Sequence, residues 1–234
     1  MVSAEIWSIV LLSLKVSFFA LCWAVPVSFG LAYLLARKRF VGRRLLSAVI
    51  MLPLVMPPVV TGLVLLYGFG PTGPIGQLLA PLGISFAFNA AGASLAAGLV
   101  ALPLIVRPIR LSLEAVDPDL DEALEVAGKM GWQRFTMLYF PMSLPGIVAG
   151  GILGFAKALG EFGATITFVA NIPGETQTFS LAIHSALQRF DGEQMVLMLS
   201  LVSISISVIA VLGSEYLLNW LQVRLSGDRS VRHA

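Results

Sequence analysis

Apolar residues run along this chain in long unbroken stretches, and short clusters of charge separate them. A helix needs about 20 apolar residues to cross a hydrocarbon core. Five segments meet that requirement, at about 9–36, 45–69, 87–112, 138–160 and 195–222. The pattern changes twice. Residues 117–136 are polar and helical in character, and 121–141 read DEALEVAGKMGWQRFTMLYFP. Residues 162–190 are apolar, but Pro173, Gly174 and Glu175 cut them into halves too short to cross. They predict a re-entrant or outer-surface pair of short elements, a sixth span being the alternative. The expected fold is an all-α integral membrane bundle of about five transmembrane helices, one domain over 1–234, with a polar loop at 117–136.

Composition agrees with that pattern. The chain is 57% hydrophobic and 12% charged, against about 25% charged in soluble domains, and its mean hydropathy is +0.89. A net charge of +2 gives no reason to expect a nucleic-acid partner. Cys22 is the single cysteine, so no disulfide forms within the chain, and a buried free thiol is expected. The first residues lack the basic start and small-residue cleavage site of a signal peptide, so the first apolar segment is read as an uncleaved span.

Charge then sets orientation. Arg37, Lys38, Arg39, Arg43 and Arg44 follow the first span; Arg107, Arg110, Lys129 and Arg134 flank the polar loop; Arg224, Arg229 and Arg232 follow the last span. The intervening stretches carry only Arg189. The positive-inside rule places the N-terminus outside and the polar loop and C-terminus in the cytoplasm. Lys15 is expected to snorkel to the outer interface.

The polar loop has clear helix signals. Asp117 is positioned to cap free amides, and Pro118 fits a first turn, where its missing N–H is not needed. Asp119, Asp121 and Glu122 suit the positive end of the helix dipole. Gly128 is placed to end the helix in a left-handed conformation. A second short amphipathic piece follows from about Trp132 to Leu138. Short isolated helices are marginal in water, so the loop reads as a docking element or, alternatively, as a solvated interfacial loop.

Within the spans, Pro53, Pro57 and Pro58 kink the second, because each removes a helical hydrogen bond. With Thr61 one turn on, this kink is either part of a translocation pathway or a packing feature. Gly146, Gly150 and Gly154 repeat every four residues, a spacing that lets helices approach closely. Lys157 and Glu161 can meet on one helical face; Gly160 and Glu161 either help to gate an outer pathway or belong to a neutralising pair. Glu215 and His184 look peripheral. No GxxxxGK[ST] phosphate loop, metal-ligand cluster or nucleophile–base motif is found.

The polar loop also resembles a known family. Glu122-Ala123-Leu124, three residues, Gly128, nine residues, then Leu138-Tyr139-Phe140-Pro141 matches the spacing of the EAA loop of ABC importer permeases. Leu124, Leu138 and Phe140 depart from that pattern but stay apolar. The stretches 36–76, 106–118 and 144–178, especially LPLVMPPVV and GEFGATITFVANIPGET, resemble the molybdate branch of the family more than its sulfate or phosphate branches. The resemblance implies a MetI-like type I importer permease fold and a multi-pass place in the bacterial inner membrane. It implies a coupling helix, with Glu122, Ala123, Leu124 and Gly128 at the contact with a separate ATPase. It further implies a second permease copy, two ATPase subunits, a periplasmic binding protein and molybdate as substrate. No cofactor is expected on this chain, ATP and Mg being held by the ATPase. The same machine for tungstate or sulfate is the alternative, and an ion-coupled secondary carrier is a more distant one.

Overall fold

The computed structural model describes residues 2–226, and all the secondary structure it describes is helical. The helices are α1 (Val2–Arg37), α2 (Arg43–Val55), α3 (Pro58–Phe69), α4 (Pro74–Leu79), α5 (Ala90–Glu114), α6 (Pro118–Val126), α7 (Trp132–Arg134), α8 (Phe140–Leu159), α9 (Gly163–Val169), α10 (Phe179–Leu187) and α11 (Glu193–Ser226). A 3-10 turn at Ala80–Leu82 follows α4, and a π-helical turn at Phe135–Tyr139 joins α7 to α8.

Helix α5 is the hub, packed between α1 and α8. In lipid there is no hydrophobic drive between helices, so close packing of small side chains has to hold them together. Helix α5 supplies such a face with Ala93, Ala96, Ala97, Gly98 and Ala101, all buried. Gly98 makes room for the Trp23 ring of α1, since a Cβ there would lie 2.4 Å from it. The α8 glycines form the matching face on the other side. A Cβ at Gly146 would meet the Pro108 carbonyl oxygen at 2.6 Å, one at Gly150 the Ile105 carbonyl oxygen at 2.8 Å, and one at Gly154 the Ile105 side chain at 2.6 Å. The Asn89 side chain caps α5, its Oδ1 accepting from the Gly92 amide at 3.0 Å.

Four helices are long and apolar enough to cross a membrane alone among the described residues: α1, α5, the run from α7 through α8, and α11. The expected second span, 45–69, is not one helix. It breaks at Met56-Pro57 into α2 and α3, which meet at 113°. Two adjacent prolines explain the break, because Pro57 and Pro58 cannot donate to the carbonyls one turn back. Each piece is about 20 Å long or less at 1.5 Å per residue, too short to cross alone. The pair nevertheless travels along α5. Arg43 at the start of α2 pairs with Glu114 at the end of α5. Leu65 of α3 clusters with Ala93 and Ala96 near the start of α5, and Phe69 meets Phe86 edge-on at 5.7 Å. Taken together as one broken span, the pair brings the number to five by length and composition.

Segment 162–190 forms the short helices α9 and α10, joined by a turn. Helix α9 is buried against α3 and α5. The first amide of α10 donates to Ser13 Oγ of α1 at 2.8 Å, in a buried bond across 166 positions. Two other expectations change. Cys22 is exposed, because it lines an open apolar groove between α1 and the start of α5, with Lys15 at its edge. The piece at 132–138 is not a separate helix before Pro141. It runs through the π turn into α8, where Pro141 sits in the first turn and costs no hydrogen bond. Glu215 lies outside the residues whose side chains are described, as do Arg224, Arg229 and Arg232.

Candidate functional site

Two places gather the candidate residues, one at each end of the bundle. The first is α6 and the chain that returns from it. Asp117 Oδ1 accepts from the Asp119 amide at 3.0 Å and starts the helix. At the other end Gly128 takes φ 73°. Its amide donates to Glu125 O, and the Lys129 amide donates to Leu124 O, both at 2.9 Å. These two bonds satisfy the last carbonyls of α6 and turn the chain back.

Side chains then fix α6 to the bundle. Asp121 and Glu125 lie one turn apart, and Arg134 reaches both, Nε donating to Asp121 Oδ1 at 3.0 Å and Nη1 to Glu125 Oε2 at 3.2 Å. Arg37, at the end of α1, stacks over the Tyr139 ring at 4.7 Å and donates to Val116 O. Asp121, Arg134, Arg37 and Tyr139 line a cavity of about 270 Å3 under the helix. Burial by itself raises the Asp121 carboxyl, but hydrogen bonds from Arg134 and Tyr139 and the charges of Arg134 and Arg37 outweigh it. The carboxyl is held below the usual carboxylate range.

The candidate coupling residues divide by direction. Glu122, Ala123 and Gly128 are exposed, and Leu120, Val126 and Met130 expose apolar side chains around them. Leu124 turns the other way and packs on the core of α1, α5 and Tyr139. Sequence reasoning missed the Arg134 latch. Its signal was present in the acidic pair at i and i+4, with an arginine just past the glycine turn.

The second place is the broken span. The first turn of α3 lies against α9 with little space between backbones. A Cβ at Gly62 would be 2.5 Å from Ala164 O, and one at Gly163 would be 2.7 Å from the Pro58 side chain. The structure thus brings Pro58 against the start of α9, which Glu161 holds through the Ala164 amide, with Pro57, Thr61 and Gly160 next to these residues in sequence. Thr61 is buried, and its hydroxyl has no hydrogen-bond partner among the described residues. Glu161 is 3% exposed. Its Oε1 accepts from the Ala164 amide at 3.0 Å, and Lys157 Nζ lies 3.1 Å from Oε2 without hydrogen-bond geometry. The expected pair forms, and its carboxylate also caps α9. The partners Gly62 and Gly163 were not legible, since a glycine in an apolar run does not say what it faces. No group of acidic, histidine or cysteine side chains able to hold a metal occurs among the described residues.

Residues 24–225 match the family described as binding-protein-dependent transport system inner membrane component. The chain belongs to that family. This permease is 48% identical over 215 residues to the molybdenum transport system permease protein ModB of Haemophilus influenzae, covering 92% of this chain and 94% of that protein. It is 46% identical over 227 residues to ModB of Escherichia coli K12, covering 97% of each. The sulfate transport system permease protein CysT of Escherichia coli K12 is 39% identical over 165 residues, 70% of this chain and 60% of that protein. Among solved structures, a chain of an amino acid ABC transporter with histidines aligns with a TM-score of 0.57 at 16% identity, covering 95% of this chain and 94% of that one. The permease is a multi-pass membrane protein with the importer-permease fold expected from its EAA-like loop.

Proposed function

We propose that this chain is the membrane-spanning subunit of an ATP-driven importer for molybdate in the bacterial inner membrane. The substrate assignment is supported by the likeness to the two ModB proteins over nearly the whole of both chains. The mechanism rests chiefly on one geometric observation. Helix α6 is capped at both ends and latched by Arg134, yet it leaves Glu122 and Ala123 free. A rigid helix with an open face at the basic end of a bundle is suited to dock in a cleft of another protein.

In this reading ATP and Mg are held by a separate ATPase, and two permeases pair with two such subunits. A periplasmic binding protein delivers the anion at the opposite end. Closure of the ATPases pushes on α6. The push reaches α8 through Arg134 and the π turn, and α1 through Arg37 and Tyr139. Leu124 is the anchor of the helix on its own bundle, while Glu122, Ala123 and Gly128 meet the ATPase. The break between α2 and α3, with Pro57, Pro58 and Thr61, lies along the pathway, and the Gly160–Glu161 turn closes it from the outer side. Hydroxyl and amide donors there hold an anion without a fixed cation, which suits release as well as binding. Tungstate or sulfate is the alternative cargo for the same machine, and the likeness to the sulfate permease CysT supports an oxyanion as the cargo class.

The test is Glu122→Arg in the assembled complex. Membrane insertion should be normal, ATP-driven uptake should fall by tenfold or more, and the binding protein should no longer stimulate ATP hydrolysis. Uptake at the parental rate would remove α6 from the coupling path.

A further inference from the structure

A second cavity, of about 520 Å3, lies between the start of α2 and the end of α5 and is lined by Phe40, Gly42, Arg43, Arg44, Ser47 and Arg110. Its volume is in the range of small-ligand sites, roughly 300–1,000 Å3. Its charge is unbalanced. One carboxylate oxygen, Glu114 Oε1, serves both Arg110 at 2.8 Å and Arg43 at 3.6 Å. Arg110 also reaches Ser47 Oγ across the helix pair at 3.4 Å. Arg44 is exposed and pairs with no carboxylate among the described residues. Three guanidiniums therefore face one carboxylate, and no side chain caps the first turn of α2. The Arg43 amide donates to Phe40 O at 3.4 Å, and the guanidiniums are the groups suited to phosphate oxygens.

The surroundings select the form in which the phosphate arrives. Leu45, Val49 and Leu52 are exposed at i, i+4 and i+7, a continuous apolar stripe running from the cavity along α2. Phe40 and Val41 expose further apolar surface at its mouth. A free oxyanion has no use for that stripe, whereas an acyl chain does. Basic pockets between transmembrane helices at the basic end of a bundle suit acidic headgroups. We propose that this cavity binds the phosphate headgroup of an anionic phospholipid, its chains lying along Leu45, Val49 and Leu52. The bound lipid would tie α2 to α5 at the foot of the broken span.

The test uses the full-length permease, delipidated in a neutral detergent and titrated with phosphatidylglycerol, phosphatidylcholine, inorganic phosphate or molybdate, binding being read by native mass spectrometry and thermal shift. Phosphatidylglycerol should bind and raise the melting temperature, and phosphatidylcholine should do so much less. Arg44→Gln should weaken phosphatidylglycerol binding about fivefold, as expected for one charge at a membrane surface. Arg39→Gln, exposed at the same end but outside the cavity, should leave it unchanged. Equal loss in the two variants would mean diffuse surface charge and overturn the proposal. Equal binding of the two lipids would also overturn it. Inorganic phosphate or molybdate matching the lipid effect at equal concentration would make it a free-oxyanion site instead.

Discussion

At the residue scale, Arg134 carries the most consequence per atom. It bonds two carboxylates on α6 and stands at the head of the π turn that leads into α8. These groups are solvent-accessible, so screening leaves the latch little weight in overall stability. Its effect should therefore be seen in coupling. Arg134→Ala should leave the melting temperature within a few degrees of the parent, yet cut ATP-driven uptake severalfold, with Arg134→Lys in between. Parental uptake by Arg134→Ala would show that the latch transmits nothing. The pH dependence has a definite sign. A carboxyl whose folded value is depressed adds stability above its free value, near pH 4, and loses that stability as pH falls through the folded value. The Asp121 latch should hold throughout pH 5–8, and the protection of α6 from proteolysis should be flat over that range. A fall in protection between pH 8 and 6 would contradict this.

At the element scale, the spans, the α6 caps and the small-residue face of α8 were legible, because each depends on residues close in sequence. Asp117-Pro118 and Gly128 mark the ends of α6 by local backbone chemistry alone. The 113° break of the second span was legible only as a kink. Proline says where hydrogen bonds fail, but what packs into the bend decides its angle. That partner is α9, more than 100 positions later, and its contact with α3 rests on Gly62 and Gly163. Cys22 was misjudged for a related reason, since in a lipid-facing helix an apolar neighbourhood does not mean burial. Gly62→Ala should push α3 from α9 and reduce uptake strongly. Gly151→Ala on α8, where a Cβ meets nothing within 4 Å, should leave uptake intact and favour the helix slightly. Equal activity of the two variants would show that the α3–α9 contact is loose.

At the scale of the whole molecule, the ends of the bundle differ in chemistry. One end gathers Arg37, Arg43, Arg110 and Arg134 beside α6, and holds the latch and the arginine-lined cavity. The other holds α9 and the Glu161 turn over the first half of α5, with α10 packed on α1 and α11. Helix α8 runs between them, and in the proposed mechanism a push at α6 would travel along it to the outer half. The most direct measurement of this account is uptake of labelled molybdate into proteoliposomes holding the permease, its ATPase subunit and its binding protein, with sulfate or tungstate in excess as competitors. Uptake should require ATP and resist sulfate, with tungstate competing. ATP-driven uptake of sulfate without molybdate would change the cargo, and molybdate flux without ATP would contradict the mechanism itself.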